Sequence, residues 1–454
     1  MTMRSVAPLL LAALAATPAG AQQAPAAIAF THVNVVPMDH EVVLLDQTVV
    51  VRGERIAEVG PAARVRVPEG AQVIDGHGQY LMPGVAEMHA HIPDGQAPPE
   101  YTERVLFLYL AGGVTTIRGM LGAPPHLQLR EQAARGEIWS PTIITSGPSV
   151  NGTSAPTPDV ARRMVEEEHA AGYDFIKIHP GLSRAAFDTM ATTAQRLGMR
   201  FAGHVPVDVG LERALEAHYA TIDHLDGFVE WLAGVRPGDG TRVGFFGLAV
   251  ADRVDESRIP EVARLTREAG VWVVPTQTLL ETVASSESPE QMAARPGTEY
   301  LPRSIAQGWM NTLRGWRTQS PVEPQTAARF LALRRRLIRE LQAAGAGILL
   351  GSDAPQVGNV PGFSLHRELR AYVAAGLTPF QALLTGTRNP AAFFGRPDEF
   401  GTVQRGRRAD LVLLEGNPLR DIANFDRQAG VMVRGRWLPA GEIRRRLEAL
   451  AAGT

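Results

Sequence analysis

Residues 174–204 read DFIKIHPGLSRAAFDTMATTAQRLGMRFAGH. The apolar run from Phe175 to His179 holds β-branched residues around a lysine and ends at a proline and a glycine, which is typical of a buried strand. A helical pattern follows from Arg184 to Leu197 and ends at Gly198. A second short strand is predicted from Phe201 to His204. This succession of strand, helix and strand indicates parallel strands joined by crossover helices.

The same alternation continues on both sides of this unit. Between residues 84 and 397 we predict eight strands separated by helical patterns, which is the number that a (β/α)8 TIM barrel of the α/β class requires. We therefore assign residues 84–397 to a TIM-barrel domain. The predicted strands are Gly84 to His91, Val114 to Arg118, Pro141 to Ser146, Phe175 to His179, Phe201 to His204, Thr221 to His224, Val271 to Pro275 and Gly347 to Asp353.

The two ends of the chain have a different character. Residues 28–83 and 398–440 contain short β-branched runs separated by glycines and by an Asn-Pro turn. We predict that these two segments pair into a small composite β-sandwich domain. The chain closes with a predicted helix from Ala440 to Ala451.

The first residues have the pattern of a targeting segment. Arg4 precedes an apolar stretch from Ala7 to Ala16, and Ala19-Gly20-Ala21 fits a small-residue cleavage site. We predict a signal peptide over residues 1–21 and hence a periplasmic or secreted protein. The apolar stretch is shorter than the ~20 residues of a membrane span, and no later segment reaches that length without charges, so we expect no membrane insertion.

Composition restricts the kinds of partner and of site. Lysine and arginine number 45 against 47 aspartates and glutamates, and the net charge of −2 argues against a nucleic-acid partner and favours a small molecule. The run Arg334 to Arg336 is interpreted as the solvated face of a helix. Homo-oligomer contacts through Leu106 to Leu110 or through the C-terminal helix are compatible with the sequence, and core burial explains these residues equally well. The absence of cysteine excludes thiolate metal ligands.

Lys177 is the only lysine of the chain. A guanidinium, with a pKa above about 12, never offers a neutral nitrogen, whereas a buried ammonium group loses its proton more readily. A neutral amine can react with carbon dioxide and form a carbamate, whose oxygens can bridge two metal ions. The alternative is that a coding bias removed lysine and this one survived by chance. Its position inside an apolar strand, where a buried charge is costly, favours the functional interpretation.

Residue types that bind metals stand at the predicted strand ends. In His89-Ala90-His91 the period of a strand places both imidazoles on one face, but such a triplet alone is weak evidence because it also arises by chance. The signal becomes stronger because similar residues end four other strands, and the carboxyl ends of barrel strands meet at one mouth. The residues predicted to converge there are His89, His91, Lys177, His204, His224 and Asp353.

On these residues the chain resembles the amidohydrolase superfamily, and in particular its prolidase-like and imidazolonepropionase-like members. The resemblance covers nearly the whole chain after the predicted signal peptide. It includes four further motifs: Leu81-Met82-Pro83-Gly84, Gly112-Gly113-Val114-Thr115-Thr116-Ile117-Arg118, Gly351-Ser352-Asp353-Ala354 and Gly406-Arg407-Arg408-Ala409-Asp410-Leu411.

The resemblance implies a binuclear metal site, for which zinc is the expected ion. It implies that His89, His91 and Asp353 hold one ion, that His204 and His224 hold the second, and that Lys177, carbamylated by carbon dioxide, bridges both. Two divalent cations would lower the pKa of a shared water to near 7. Asp353 is then expected to be the catalytic proton shuttle, first as general base and then as general acid.

Two positions depart from the superfamily pattern. Many relatives carry an acidic residue after the arginine of the second strand, where this chain has Gly119. A mononuclear deaminase would usually show an acid three residues after the fifth-strand histidine, and here that position is Val207. Together with Lys177, this argues against deamination.

Four further residues are weaker candidates for substrate contacts. Arg118 could hold a substrate carboxylate through a bidentate fork, and an interior ion pair is an equally good explanation of it. His179 is either a substrate contact or a packed histidine, and Tyr219 and Tyr300 are further hypotheses. The long inserts 226–258 and 280–317 are expected to form pocket walls. A further hypothesis is that His366 and Glu368 support the site from outside its ligands.

The sequence therefore predicts a metal-dependent amidohydrolase that cleaves carbon–nitrogen bonds of small amides, with dipeptides or N-acyl amino acids as expected substrates. A lactone or ester hydrolase with the same site is one alternative, since only the leaving group changes. A catalytically silent metal-binding barrel is another. The complete ligand set disfavours the silent protein, because mere binding requires neither a carbamate nor a proton shuttle.

Overall fold

The computed structural model describes residues 27–319 and 321–453. The predicted signal peptide, residues 1–21, lies outside the described residues. No helix within the described ranges is long and apolar enough to cross a membrane. The strands are β1 Ile28–Val35, β2 Leu44–Arg52, β3 Arg55–Pro61, β4 Gln72–Asp75, β5 Tyr80–Pro83, β6 Val85–Ala90, β7 Val114–Gly119, β8 Thr142–Thr145, β9 Phe175–Ile178, β10 Arg200–Gly203, β11 Thr221–Asp223, β12 Trp272–Val274, β13 Leu411–Leu414, β14 Gln428–Val433 and β15 Arg436–Pro439.

The helices are α1 Pro99–Ala111, α2 Pro125–Ala134, α3 Pro158–Ala171, α4 Arg184–Leu197, α5 Gly210–Glu216, α6 Phe228–Leu232, α7 Ile259–Glu268, α8 Gln277–Ala284, α9 Pro289–Ala293, α10 Arg303–Gln319, α11 Pro324–Ala344, α12 Phe363–Ala375, α13 Pro379–Gly386, α14 Arg388–Phe393 and α15 Ala440–Ala452. Short 3₁₀ helices lie at Phe245–Arg253, Glu256–Arg258, Thr298–Tyr300 and Ile422–Asp426.

Strands from both ends of the chain form one mixed sheet, in the order β15-β14-β13-β5-β1-β2-β3, with β4 paired to β1. The two ends meet where β13 runs antiparallel to β5 and Val412 lies opposite Met82. The apolar core of this sheet includes Phe30, whose ring meets Trp437 edge-on at 5.1 Å between centroids. The N- and C-terminal segments therefore fold as one structural unit.

The central part of the chain contains seven parallel strands in two sheets, β6-β7-β8 and β12-β11-β10-β9. Isolated parallel bridges connect the two sheets on one side, where Ser146 pairs with Phe175 and Val150 with Ile178. Seven of the predicted strands are therefore present and parallel, each with bounds close to those expected from the sequence.

The predicted eighth strand, Gly347 to Asp353, is not a regular strand, which corrects that prediction. The segment still runs between β12 and β6: Leu349 N donates to Val273 O at 2.9 Å, and Met88 N donates to Leu350 O at 2.7 Å. The segment forms one isolated bridge, from Ile348 to β12, and the residue that follows it, Ala354, forms another to β6. The positive φ of Asp353, 66°, interrupts the extended conformation that a ladder requires.

The helices pack their apolar sides against the parallel strands. Helix α4 shows why the sequence pattern was readable: Ser183 accepts a hydrogen bond from Ala186 N at its start, and Gly198, with φ 70°, ends it in the left-handed conformation. Phe187 and Met190 are fully buried on one side of this helix. Its bounds are those predicted from the sequence.

The two long inserts are mostly helical. Insert 226–258 contains α6 and the 3₁₀ segment Phe245–Arg253, and insert 280–317 contains most of α8, then α9 and most of α10. They contact each other, because the ring of Phe245 lies 4.8 Å from that of Trp316.

Candidate metal centre

The carboxyl ends of the parallel strands bring the six predicted ligands together. His89 Nε2 lies 3.5 Å and His91 Nε2 2.6 Å from Asp353 Oδ1, and His224 Nδ1 lies 3.6 Å from Asp353 Oδ2. The ring of His224 lies 4.6 Å from that of His89 and 4.5 Å from that of His204. Lys177 extends into the same region from β9, with Nζ 3.8 Å from Asp223 Oδ2.

The donor set fits a metal ion. One ligand atom each from His89, His224 and Asp353 can be chosen so that all three lie within 4.8 Å of one another. Among the residues that the structure describes, no other group of three or more histidine, aspartate or glutamate side chains has ligand atoms this close together. Lys177 is fully buried, and its Nζ has no hydrogen-bond partner among the described residues. Asp223, 3.8 Å away, is the nearby counter-charge, but a buried cation that makes no hydrogen bond is costly, so the pocket suits a neutral or modified amine.

Burial and mutual charge set the protonation of the ligands. Burial lowers the pKa of His89 to about 4 and that of His224 well below its ordinary value, which favours the neutral imidazoles that bind metals. Burial alone would raise the pKa of Asp353, but the nearby His89, His91 and Lys177 lower it below the usual range. Asp353 is therefore a carboxylate at neutral pH.

The backbone at the strand ends is strained. His224, Thr276 and Asp353 have φ values of 61°, 46° and 66°, in the left-handed region that residues other than glycine seldom adopt. Such conformations persist where the surrounding contacts determine them, and they concentrate at functional sites. No local sequence pattern indicated this backbone strain.

Each buried imidazole has an orienting partner, and sequence analysis missed these partners. Asp226 Oδ2 lies 2.6 Å from His204 Nδ1, and Thr276 Oγ1 lies 2.8 Å from His224 Nδ1. Asp223 Oδ2 lies 3.1 Å from His89 Nδ1. The hydrogen bonds of His204 and His224 fix the tautomer of these two imidazoles and leave Nε2 as their ligand atom. The available signal was an acidic residue directly before His224 and another two residues after it.

Glu87 connects the strand of His89 to the segment of Asp353. It is fully buried and accepts hydrogen bonds from Ser352 N and Ser352 Oγ, both at 2.7 Å, and from His89 N at 3.2 Å. Burial raises its pKa to about 8, against the opposing effect of these hydrogen bonds. Glu87 is a positioning residue that the sequence pattern did not single out.

Arg334 corrects the interpretation of the run Arg334 to Arg336 as a solvated face. Its side chain is fully buried, and it donates to His224 O at 2.6 Å, to Pro275 O at 2.7 Å and to Gln277 Oε1 at 3.0 Å. Only the two following arginines lie partly exposed. Helix α11 therefore fixes the backbone that carries His224.

Glu368 strengthens the same region. Its two carboxylate oxygens accept from Gln277 N and Thr278 N, both at 2.7 Å, next to Thr276. It thus supports the site from outside the ligands, as the sequence had suggested. His366 instead bonds to Gly112 O at 2.8 Å and lies beside Asp426.

Two candidate substrate contacts point into the protein. Arg118 is fully buried, with Nε donating to Met88 O at 2.7 Å and Nη2 to Thr221 Oγ1 at 3.1 Å, beside Asp223. This is the interior ion pair that the sequence left open. Tyr219 is also buried, donates to His204 O at 3.1 Å and stacks on Phe187. Both side chains are occupied by protein partners.

The remaining two candidate substrate contacts, His179 and Tyr300, lie in different surroundings. His179 is half-buried with its ring 5.0 Å from that of His204, and its Nδ1 has no hydrogen-bond partner within the described part of the chain. Burial, followed by the nearby Lys177, lowers its pKa to about 2, so it is neutral. Tyr300 packs against Phe363 at 5.4 Å and belongs to a cluster with helix α15.

Insert 226–258 adds one aromatic residue to the site. The ring of Phe246 stacks on His204 at 6.0 Å with an interplanar angle of 23°, and lies 5.2 Å from the ring of His224. The sequence predicted that this insert would line the pocket without indicating which residue would do so.

Comparison with known proteins agrees with this arrangement. An imidazolonepropionase from Geobacillus sp. is 24% identical over 382 residues, which cover 79% of this chain and 80% of that protein. An adenine deaminase from Ruegeria pomeroyi is 23% identical over 383 residues, covering 81% of this chain. The chain spans only half the length of that deaminase.

Solved structures share the fold. A Xaa-Pro dipeptidase with bound methionine superposes with a TM-score of 0.67 at 19% identity, covering 91% of this chain and 100% of that one. Bottromycin amidohydrolase gives a TM-score of 0.68 at 23% identity, covering 94% and 91%. The model of the amidohydrolase family matches residues 80–438, which include all six candidate ligands. The resemblance seen in the sequence is confirmed, and the chain belongs to the amidohydrolase family of metal-dependent hydrolases that act on carbon–nitrogen bonds.

Proposed function

We propose that this protein hydrolyses the carbon–nitrogen bond of small amides, and that dipeptides and N-acyl amino acids are the first substrates to test. The observation that carries the proposal is the convergence of four histidines, Lys177 and Asp353 at the ends of parallel strands, with three ligand atoms within 4.8 Å. A protein that only bound a metal would not require a buried lysine amine beside that group.

We further propose the architecture predicted from the sequence. The isolated bridges on both sides of Gly347 to Asp353 support an eight-stranded (β/α)8 barrel over residues 84–397. The mixed sheet supports a composite domain of residues 28–83 and 398–440, for which we propose the sandwich arrangement. We also retain the proposal of a signal peptide over residues 1–21 and a periplasmic or secreted location.

The proposed cofactors are two divalent metal ions, with zinc as the first to test. In this proposal His89, His91 and Asp353 would hold one ion and His204 and His224 the other, and Lys177, carbamylated by carbon dioxide, would be a ligand of the same centre. Divalent ions in such a site activate water and polarise a carbonyl group. Histidine and carboxylate ligands also accept manganese, cobalt or nickel, so the metal requires measurement.

The protein's own residues would hold and transfer the proton. Asp353, a carboxylate because of its neighbours, accepts the proton of the attacking water at a carboxylate oxygen and delivers it to the leaving nitrogen. The backbone N–H of Asp353 donates to His89 O at 3.0 Å and holds this residue beside the other candidate ligands. Asp223, Asp226 and Thr276 keep the three buried imidazoles in place.

A mass-spectrometric turnover screen tests the proposal. The zinc-loaded chain is incubated with pooled dipeptides, N-acyl amino acids, lactones and esters, and Asp353→Asn serves as the blank. Cleavage of amides that disappears in the blank is the expected result. Cleavage of lactones or esters alone would replace the substrate class and keep the site. No cleavage in any pool would favour a catalytically silent metal-binding protein.

A further inference from the structure

The metal-ligand group is accessible from one side. Among the six candidate ligands, the side chains of His91 and His204 are 17% and 11% exposed, while the other four are at most 3% exposed. A substrate must therefore approach across the faces of His91 and His204. The residues around these two imidazoles decide which substrates reach the ligand group.

Phe246 lies on this approach. It is half-buried, and its ring covers His204 and the neighbouring His224 at centroid distances of 6.0 and 5.2 Å. An aromatic ring parallel to an imidazole presents its remaining face and edge to an incoming group. The partly exposed ring is thus an apolar surface directly beside the candidate ligands.

The chain places this ring at an energetic cost. Phe246 has φ 51° and ψ 38°, a left-handed conformation that is unfavourable for a bulky residue. Glycines with positive φ stand close on both sides, Gly244 at 69° and Gly247 at 81°. A β-carbon on Gly247 would come 2.7 Å from Val229 of helix α6, so the close packing of this turn requires glycine at position 247. The strain is typical of a residue placed for function.

A second insert supports the ring from behind. Phe245 meets Phe246 edge-on at 5.0 Å and contacts Trp316 of helix α10 at 4.8 Å. The two inserts therefore form a continuous aromatic row, Trp316, Phe245 and Phe246, that ends on the imidazoles. Meanwhile Arg118, the residue considered for a substrate carboxylate, is engaged in the interior.

We propose that Phe246 is a specificity-determining residue, and that the subsite beside His204 and His224 accepts an aromatic or large apolar group of the substrate. The inference rests on the proposed function and narrows it to amides that carry such a group next to the scissile bond. The bond cleaved and the proton transfer remain those described above.

Binding by a protein without turnover tests this subsite separately from catalysis. Dissociation constants for N-benzylacetamide, N-methyl-2-phenylacetamide and N-methylacetamide are measured by calorimetry on zinc-loaded Asp353→Asn. We expect at least one aromatic probe to bind about tenfold more tightly than N-methylacetamide, the scale of one buried aromatic contact. Phe246→Ala in the same background should remove that preference, and Phe246→Leu should keep most of it.

The matched control is Phe380→Ala, which removes a half-buried phenylalanine of helix α13 that packs on the apolar core. It should leave the aromatic preference unchanged. An unchanged preference in Phe246→Ala, or none in the parent protein, would overturn the inference. If the aromatic probes bind preferentially but the zinc-loaded parent protein shows no turnover, the hydrolase proposal is rejected and the subsite is kept. If the parent protein shows turnover but no aromatic preference in binding, the subsite is rejected and the hydrolase proposal is kept.

Discussion

Lys177 is the residue whose replacement tests the site most directly. Its amine is fully buried without a hydrogen-bond partner among the described residues, and burial lowers its pKa. We predict that Lys177→Arg loses most of its bound metal and nearly all turnover, because a guanidinium cannot form a carbamate. Metal content by mass spectrometry and the intact mass of the parent protein, with and without added carbon dioxide, provide the measurement.

The control variant exchanges arginine and lysine at a partly exposed position. Arg130→Lys alters a partly exposed ion pair with Asp174, 3.0 Å long, and should leave metal content and activity unchanged. A fully loaded and active Lys177→Arg protein would end the idea of a bridging carbamate.

Residue type and strand position were sufficient to choose the six candidate ligands, because strand ends of parallel sheets meet at one edge. They were not sufficient for the residues that orient them. Thr276 lies 52 positions from His224, so their contact depends on where two loops meet. Arg334 illustrates the same limit: three consecutive arginines look alike in sequence, and only the packing of the helix decides which one is buried.

Glu168 provides a prediction about stability and pH. It is buried, both carboxylate oxygens lack hydrogen-bond partners within the described ranges, and burial, followed by the neighbouring Glu167, raises its pKa from 4.5 to about 8. Between these values the folded chain keeps a proton that the unfolded chain releases. The free energy of unfolding therefore falls as pH rises through this window, by up to about 1.4 kcal/mol per pH unit.

Replacing Glu168 by glutamine, which does not ionise, removes this loss of stability at high pH. Glu168→Gln should match the parent near pH 4 and exceed its free energy of unfolding by about 2 kcal/mol or more at pH 9, as measured by urea unfolding. Glu167→Gln, an exposed neighbour on the same helix, should change stability by less than about 0.5 kcal/mol. Equal stability of Glu168→Gln and the parent at pH 9 would show that the carboxyl finds a partner or water.

At the scale of elements, helix α11 is predicted to stabilise the site through a single side chain. Arg334→Gln removes the donors to the carbonyl groups of His224 and Pro275 and should lower the free energy of unfolding by about 3 kcal/mol. Because His224 loses its backbone support, zinc content should fall as well. Urea unfolding with and without zinc measures both effects.

Arg335→Gln is the matched control on the same turn of α11. Arg335 is 42% exposed and pairs with Glu281 at 2.8 Å, a surface ion pair worth at most about 1 kcal/mol. If the two variants were equally stable and equally loaded with zinc, the support of His224 by Arg334 would be rejected.

Helices and strands differ in how far the sequence determined them. Helix α4 was predicted with its observed bounds, because Ser183 and Gly198 mark its ends locally. The segment Gly347 to Asp353 has the composition of a strand. Because Asp353 is left-handed, and because the segment lies between β12 and β6, it forms isolated bridges in place of a continuous ladder. Its pairing is determined by tertiary contacts that a local pattern does not contain.

At the scale of the whole molecule, the chain ends stabilise the part that carries the site. Leu411 and Leu413 of β13 are buried opposite β5, which leads directly into the strand of His89. Arg408 Nη2 donates to Thr116 Oγ1 of β7 and Arg434 Nη2 to Ser140 O, both at 3.1 Å. The terminal sheet is therefore connected to the parallel strands by the continuous chain from β5 to β6 and by side-chain hydrogen bonds.

We predict that a chain ending at residue 397 does not fold cooperatively, because β5 loses β13, one of its two neighbouring strands, and the apolar core of the mixed sheet is exposed. Near-UV circular dichroism and binding of a hydrophobic dye would report the loss of packing. A chain ending at Pro439 is the control, since Ile443 is the buried residue of the helix that it removes. That shorter truncation should keep a single unfolding transition at a lower denaturant concentration. A cooperative, zinc-binding fragment ending at 397 would mean that the parallel strands fold independently of the terminal sheet.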